Sequence, residues 1–511
     1  MTGPSRANRC IVADLPSPEL SATWRRHLER HRFGGICLFR RNVESPQQLA
    51  RLIADIRSVL GEDALIGIDQ EGGAVLRVLD LPQIPSPMAL GAADDVALSR
   101  EIGAIAARGL LSLGINWNYA PVLDVQNNAR NPVIGERSFG SDPARVAQLG
   151  VAWALGSEGE GVLSSVKHFP GHGDTGVDSH LALPVVDKPV RELEACEWLP
   201  FRAAVAANVG SVMTAHIRYP ALDSELPATL SPAILSGLLR EKWGYEGVIV
   251  TDSTDMQGVA ARFGAEAAPL ALIAGADAVL ACTHGDLGAQ TRQVEAVERA
   301  LRDGRLSQGR VRQALSRLSR AAARFPGTPR PYPREQREAD EATVGETAQR
   351  AITAIGPVSL PTSGDKVLLL APTHPEVGGP YEDALRGAEL ARALSPALPN
   401  LQVILYSPEA PLTSLQELRA ASPDFVLVAS TSRWDLSPEE LELMNAAREL
   451  NAPALHLALW NPYHVPAVGL PALITYGFRQ NVLRALRASL EGAPASGRLP
   501  ITFASTPAEG Y

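Results

Sequence analysis

The chain has 511 residues, 45% hydrophobic and 20% charged, which is ample for a buried core and ordinary for a globular protein. A formal net charge of −9 and the lack of any Lys/Arg run exclude the electrostatic footprint that phosphate backbones select, so nucleic acid is not an expected partner. There is no run of 18 apolar residues, and Asp14 and Pro16 interrupt the N-terminus before a signal-peptide h-region can form, so a soluble, cytoplasmic protein without membrane contact is expected.

Eight short apolar runs come first: "CIVADL" (10–15), "GICLF" (35–39), "ALIGID" (64–69), "INWNYAPVLDV" (115–125), "GVLSSVKH" (161–168), "GSVMTAH" (210–216), "GVIVTD" (247–252) and "ADAVLAC" (276–282). Between them lie amphipathic stretches such as "SPQQLARLIADIRSVL" (45–60), opened by a Ser-Pro start signal, and "DPARVAQLGVAWALGSEG" (142–159). Continuous apolar strands alternating with helices describe a parallel sheet covered on both faces, and eight such units describe a closed (β/α)₈ barrel of the TIM type. A doubly wound open sheet is the competing arrangement. After "SQGRVRQALSRLSRAAARF" (307–325) the proline-rich, charged "PGTPRPYPREQREAD" reads as a linker. A second αβ series follows, with apolar runs at 366–372, 401–407, 424–431, 454–460 and 472–478. These are too few for another barrel and read as an open sheet flanked by helices. The expected organisation is a barrel over 1–328, a linker over 329–345 and a smaller αβ domain over 346–511. The four cysteines, Cys10, Cys37, Cys196 and Cys282, have no metal-ligand spacing, and neither a cofactor nor a metal is expected.

The polar residues fall where a barrel keeps its chemistry, at the carboxyl ends of its strands. Asp69 ends the third run, Asp124 lies near the end of the fourth, Lys167 and His168 end the fifth, His216 the sixth and Asp252 the seventh. Each alone has a plain structural role: Asp252 as a helix N-cap, Asp124 as a turn former, His216 as a satisfied core histidine. Their convergence is what a structural role leaves unexplained.

The stretch "KHFPGHGDTGVDSH" (167–180) spaces His168 and His172 as a helical zinc pair would, but Pro170, Gly171, Gly173 and Gly176 deny it a helix, and the spacing loses its geometric meaning. The glycines describe instead a long permissive loop that brings Asp178 and His180 back over the barrel mouth. Two apart in an extended segment, these side chains point the same way, so Asp178 is placed to orient the ring of His180 as a general acid and base.

Together with "IDQEGG" (68–73), "GERSFG" (135–140) and "VMTAH" (212–216), this loop resembles glycoside hydrolase family 3, and within it the β-N-acetylglucosaminidase branch that turns over muropeptides. The resemblance covers about residues 10–325; "ITYGF" (474–478) and "SGRLPITF" (496–503) extend it, less specifically, to the αβ sandwich domain of longer members. It implies a retaining exo-β-N-acetylglucosaminidase with Asp252 as nucleophile, Asp178 and His180 as a dyad whose histidine is the acid/base, and Asp69, Arg77, Arg137, Lys167 and His168 as sugar-holding positions. The chain departs from the branch at "TDSTDM" (251–256), where Asp255 becomes a second nearby carboxylate. Asp252 remains the expected nucleophile because it ends the strand, whereas Asp255 is expected one turn into a helix. A β-N-acetylglucosaminide phosphorylase, a β-glucosidase and a silent sugar-binding protein are the alternatives, the intact "DSH" arguing against the glucosidase.

Overall fold

The computed structural model describes residues 6–178, 182–375 and 377–503. Eight parallel strands close a barrel in simple chain order: β1 (Ile11–Asp14), β2 (Gly35–Leu38), β3 (Leu65–Ile68), β4 (Trp117–Asn118), β5 (Leu163–Phe169), β6 (Ser211–Thr214), β7 (Val248–Ser253) and β8 (Ala278–Ala281), with β8 returning to β1. All eight expected runs supply a strand. Nearly every strand residue is buried, because side chains fill the barrel on one face and the surrounding helices cover the other. β4 is the shortest; its run bends at the cis Ala120–Pro121 bond and regains contact through Val122, which bridges Lys167 of β5.

The helices follow their sequence signals. Ser45 accepts from the Gln48 amide at 3.2 Å, Gln48 answers the Ser45 amide, and Pro46 begins the helix Pro46–Leu60. Such a cap contributes about 1 kcal/mol. Asp142 and Pro143 start the helix Pro143–Glu160 in the same manner, and Gly161 in the left-handed region ends it.

A second, six-stranded sheet follows in the order β9–β14–β13–β12–β10–β11, formed by β9 (Thr353–Ile355), β10 (Val367–Pro372), β11 (Leu401–Tyr406), β12 (Phe425–Ser430), β13 (Ala454–Ala458) and β14 (Ala472–Ile474). Only the β9–β14 pairing is antiparallel. β9 carries no period that sequence alone makes visible; it is three residues long and exists because it borders β14. The stretch expected as a linker runs without regular structure to residue 333 and then enters the helix Arg334–Ala351. That helix is tied to the barrel by Asp340, which accepts from Arg108 at 2.9 and 2.7 Å.

The two sheets share an interface at the barrel's carboxyl end. A small hairpin after β3, Gln70–Gly72 with Val75–Leu76, places Ala74 and Val75 in the apolar core of the second unit. Arg479 donates to the carbonyls of Gly73 and Ala74 at 2.9 and 3.0 Å, and Ser86 donates to the Tyr476 carbonyl at 2.7 Å. At Gly140, φ is +144° and a Cβ would lie 2.3 Å from the Pro500 carbonyl, so only glycine lets the C-terminal segment lie flat on the barrel there.

Candidate active site

A cavity of about 600 Å³ opens at the carboxyl ends of the barrel strands. Asp69, Arg77, Arg137, Lys167, His168 and Asp252 line it, which brings six of the expected site residues to one place. Asp178 is buried behind the rim, and His180 lies outside the described residues. Gly379, Pro380 and Glu382, from the segment after β10, complete the wall.

Asp252 occupies the last turn of strand before β7 ends, half-buried, with its Oδ1 accepting from the Ser253 amide at 2.7 Å. It is not a helix cap: the next helix starts at Gln257 with Met256 as its N-cap residue. Asp255 therefore precedes the helix instead of lying within it. It lines the same cavity, and burial raises its pKa above the ordinary carboxyl range while the neighbouring His284 pulls the other way. His216 braces this strand end. Its Nε2 faces the Ser253 carbonyl at 2.8 Å, so that nitrogen carries the hydrogen, and its Nδ1 faces the Thr229 hydroxyl at 2.8 Å.

The opposite wall is a network of ionised groups. Lys167 is 2.6 Å from both Asp69 and Glu71. Arg137 grips Glu71 through two bonds of 2.8 Å. Arg77 is 2.7 Å from Glu382 and 3.9 Å from Asp69. Burial would raise the Glu71 carboxyl, but Arg137 and Lys167 outweigh it and hold it well below its usual range. Burial likewise opposes the charge on Lys167, and Asp69 and Glu71 more than restore it. The expected sugar-holding cations are thus fixed by carboxylates, with N–H donors left to face the cavity from set positions.

His168 follows Lys167 across a cis peptide bond. Its Nδ1 lies 2.7 Å from Asp124 Oδ2, and Arg137 Nη2, a donor, faces its Nε2 at 3.5 Å. The second oxygen of Asp124 accepts from the amides of His168 and His172 at 3.1 and 2.7 Å. Asp124 thus shapes the start of the loop as well as the ring of His168. The His168 and His172 rings meet edge to face at 5.6 Å, with His172 Nδ1 turned to Thr175, so their nitrogens do not converge on one point. Burial, then the charge of His168, pushes the His172 pKa down to about 4. Among the described residues no group of three or more His, Cys, Asp or Glu is placed to hold a metal ion.

Two residues of this site escaped sequence reasoning. Glu71 stands two positions after Asp69 in an extended segment, so the alternation of side chains was a signal that it shares Asp69's face. Glu382 had no such signal, being some three hundred positions away from its partner Arg77.

Residues 10–321 match the pattern described as "Glycosyl hydrolase family 3 N terminal domain". Beta-hexosaminidase A of Pseudoalteromonas piscicida is 36% identical over 351 residues, 63% of this chain and 58% of that protein, so the chain spans somewhat over half the length of that relative. Beta-hexosaminidase of Thiobacillus denitrificans is 37% identical over 285 residues, 54% of this chain and 79% of that protein. Among solved structures, a glycoside hydrolase family 3 beta-N-acetylglucosaminidase from Paenibacillus sp. str. FPU-7 superposes with a TM-score of 0.91 at 33% identity, covering 99% of this chain and 100% of that one.

Proposed function

This chain belongs to glycoside hydrolase family 3, and we propose that it is a retaining exo-β-N-acetylglucosaminidase that removes terminal β-linked N-acetylglucosamine, with peptidoglycan-derived muropeptides as its substrates. The observation that carries the reading is the position of Asp252. It projects from the end of β7 into a cavity whose far wall is the fixed array of Asp69, Arg77, Arg137, Lys167 and His168. A relative that matches nearly the whole chain and bears that activity in its description supports the substrate class.

In the proposed reaction the Asp252 carboxylate attacks the anomeric carbon, the bond to the aglycone oxygen breaks, and His180 gives that oxygen a proton. The product is a glycosyl ester on Asp252. His180 then takes a proton from water, which attacks the same carbon and releases Asp252, so configuration is retained. Asp178 orients His180 and stabilises its charged form. The array on the opposite wall holds the sugar hydroxyls: Asp69 accepts, and Lys167 and Arg137 donate from positions their carboxylate partners fix before substrate arrives.

We assign the catalytic unit to the barrel (1–328) and the αβ unit to 346–511, joined through 329–345. The four cysteines are free thiols, which suits a reducing, cytoplasmic setting. No described helix is long and apolar enough to cross a membrane.

The test is hydrolysis of aryl β-N-acetylglucosaminide and aryl β-glucoside, with and without phosphate, the first-formed sugar being read by proton NMR. Phosphate-independent release of the β-anomer of N-acetylglucosamine is expected. A sugar phosphate product moves the reading to a phosphorylase, glucoside preference to a glucosidase, and no turnover to a binding protein.

A further inference from the structure

Arg433, at the carboxyl end of β12, has a guanidinium whose three nitrogens are buried without a hydrogen-bond partner. It is held by stacking alone, 3.7 Å from the Trp434 ring centroid and 4.5 Å from that of Tyr381. Its backbone is braced by the "NPYH" segment: Asn461 donates to the Arg433 carbonyl at 2.9 Å, and His464 Nε2 faces the Trp434 carbonyl at 2.7 Å. A buried cation anchored this firmly and left without a hydrogen bond needs an electrostatic reason to be there.

The reason lies across Gly379, a residue of the cavity wall. A Cβ built on Gly379 would stand 3.1 Å from Asp178 Oδ2, 3.4 Å from Arg433 Nη1 and 3.5 Å from Arg433 Nη2. The cation of the second unit and the carboxylate of the catalytic loop therefore flank the same glycine. Glu136, buried, with an Oε1 that has no hydrogen-bond partner, also feels the charge of Arg433.

We propose that Arg433 is a positioning residue for proton transfer: from the second αβ unit it fixes the Asp178 carboxylate in place and in charge, and so sets the acid/base strength of His180. The inference rests on the dyad assignment above. Through Arg433 the otherwise unassigned "NPYH" segment acquires a role, as the brace of a group that acts inside the barrel's mouth.

The experiment compares Arg433→Gln, Arg433→Lys, Gly379→Ala and Asp178→Asn on two β-N-acetylglucosaminides, one with an alkyl and one with a dinitrophenyl leaving group. A dinitrophenolate departs without a proton, so only the alkyl glycoside needs the acid. Arg433→Gln should lower kcat/KM on the alkyl glycoside by about 10- to 100-fold, a part of what general acid catalysis supplies, and on the dinitrophenyl glycoside by less than about 3-fold. Arg433→Lys should recover part of the loss. Gly379→Ala, which puts a methyl between the two groups, should show the same leaving-group dependence if Arg433→Gln does not fold. Equal loss on both substrates, or none on either, overturns the proposal. Asp178→Asn without leaving-group dependence overturns the dyad assignment, and this proposal with it; dependence in Asp178→Asn but not in Arg433→Gln or Gly379→Ala overturns the Arg433 proposal alone.

Discussion

Arg137 and Glu71 form a two-bond fork, Nε to Oε2 and Nη2 to Oε1 at 2.8 Å each, with both side chains almost wholly out of solvent. The same carboxylate also holds Lys167 at 2.6 Å. Glu71 thus pairs with two cations of the cavity wall, one of which, Lys167, also holds Asp69. Glu71→Ala should leave Arg137 without its paired carboxylate and Lys167 with Asp69 alone in a low-dielectric wall, and cost about 3–5 kcal/mol of stability, readable by urea denaturation. Arg137→Lys should also lose activity, because an ammonium makes no planar fork.

Asp252 gives the opposite pattern. It is half-buried at a strand end, so Asp252→Ala should change stability by no more than about 1 kcal/mol, while kcat falls on the order of 10⁴-fold or more, as for removal of a covalent nucleophile. Added azide should then restore turnover of an activated aryl glycoside and give a glycosyl azide of inverted configuration, since the small anion enters from the face the carboxylate left. Azide rescue in Asp255→Ala instead would transfer the nucleophile's role to Asp255.

The barrel was legible because its strands sit in short runs rich in apolar residues and because capping signals such as Ser45-Pro46 and Asp142-Pro143 stand at the helix starts. The convergence of Asp69, Lys167, His168 and Asp252 followed from strand position alone. What the sequence did not carry was contact between distant segments. Glu382 meets Arg77, and Arg433 meets the neighbourhood of Asp178, only because the second sheet docks on the hairpin that follows β3. The helix from 334 was hidden for a local reason: its core face is spread over Val344, Thr347, Ala348 and Ala351 at its far end, while its first turns are charged and exposed.

Stability should depend on pH through Glu136. Burial pushes its carboxyl up from an ordinary value of 4.5 to about 7. A folded pKa above the unfolded one means the native state keeps a proton that the unfolded chain has released. That contribution is complete below about pH 4.5 and is lost as pH rises through 7, at about 1.4 kcal/mol per pH unit and about 3 kcal/mol in all. Burial raises Glu158 to about 7 as well, with Arg324 and the Gly210 amide opposing, so it acts in the same window. Glu136→Gln should therefore remove about half of the decline in unfolding free energy between pH 5 and 7.5, measured by urea denaturation at several pH values. An unchanged slope would show that Glu136 is ionised in the native state.

His216 is where packing and chemistry meet. Thr214 lies 2.8 Å from the Thr229 hydroxyl, Thr229 2.8 Å from His216 Nδ1, and His216 Nε2 2.8 Å from the Ser253 carbonyl. Because a carbonyl only accepts, a hydrogen sits on Nε2; the Thr229 hydroxyl, which donates to the Ala215 carbonyl at 2.9 Å, meets Nδ1 on the other side of the ring. The imidazole is thereby a strut between β6 and the residue that follows Asp252. His216→Ala should cost about 1–3 kcal/mol, the penalty for leaving buried polar partners unpaired. It should also lower kcat more than it raises KM, since the freed Ser253 carbonyl lets the nucleophile wander while the sugar-holding wall across the cavity is untouched. His216→Gln, which keeps an N–H able to reach a carbonyl, should recover part of both. A variant that loses stability but keeps kcat would make His216 a core residue only.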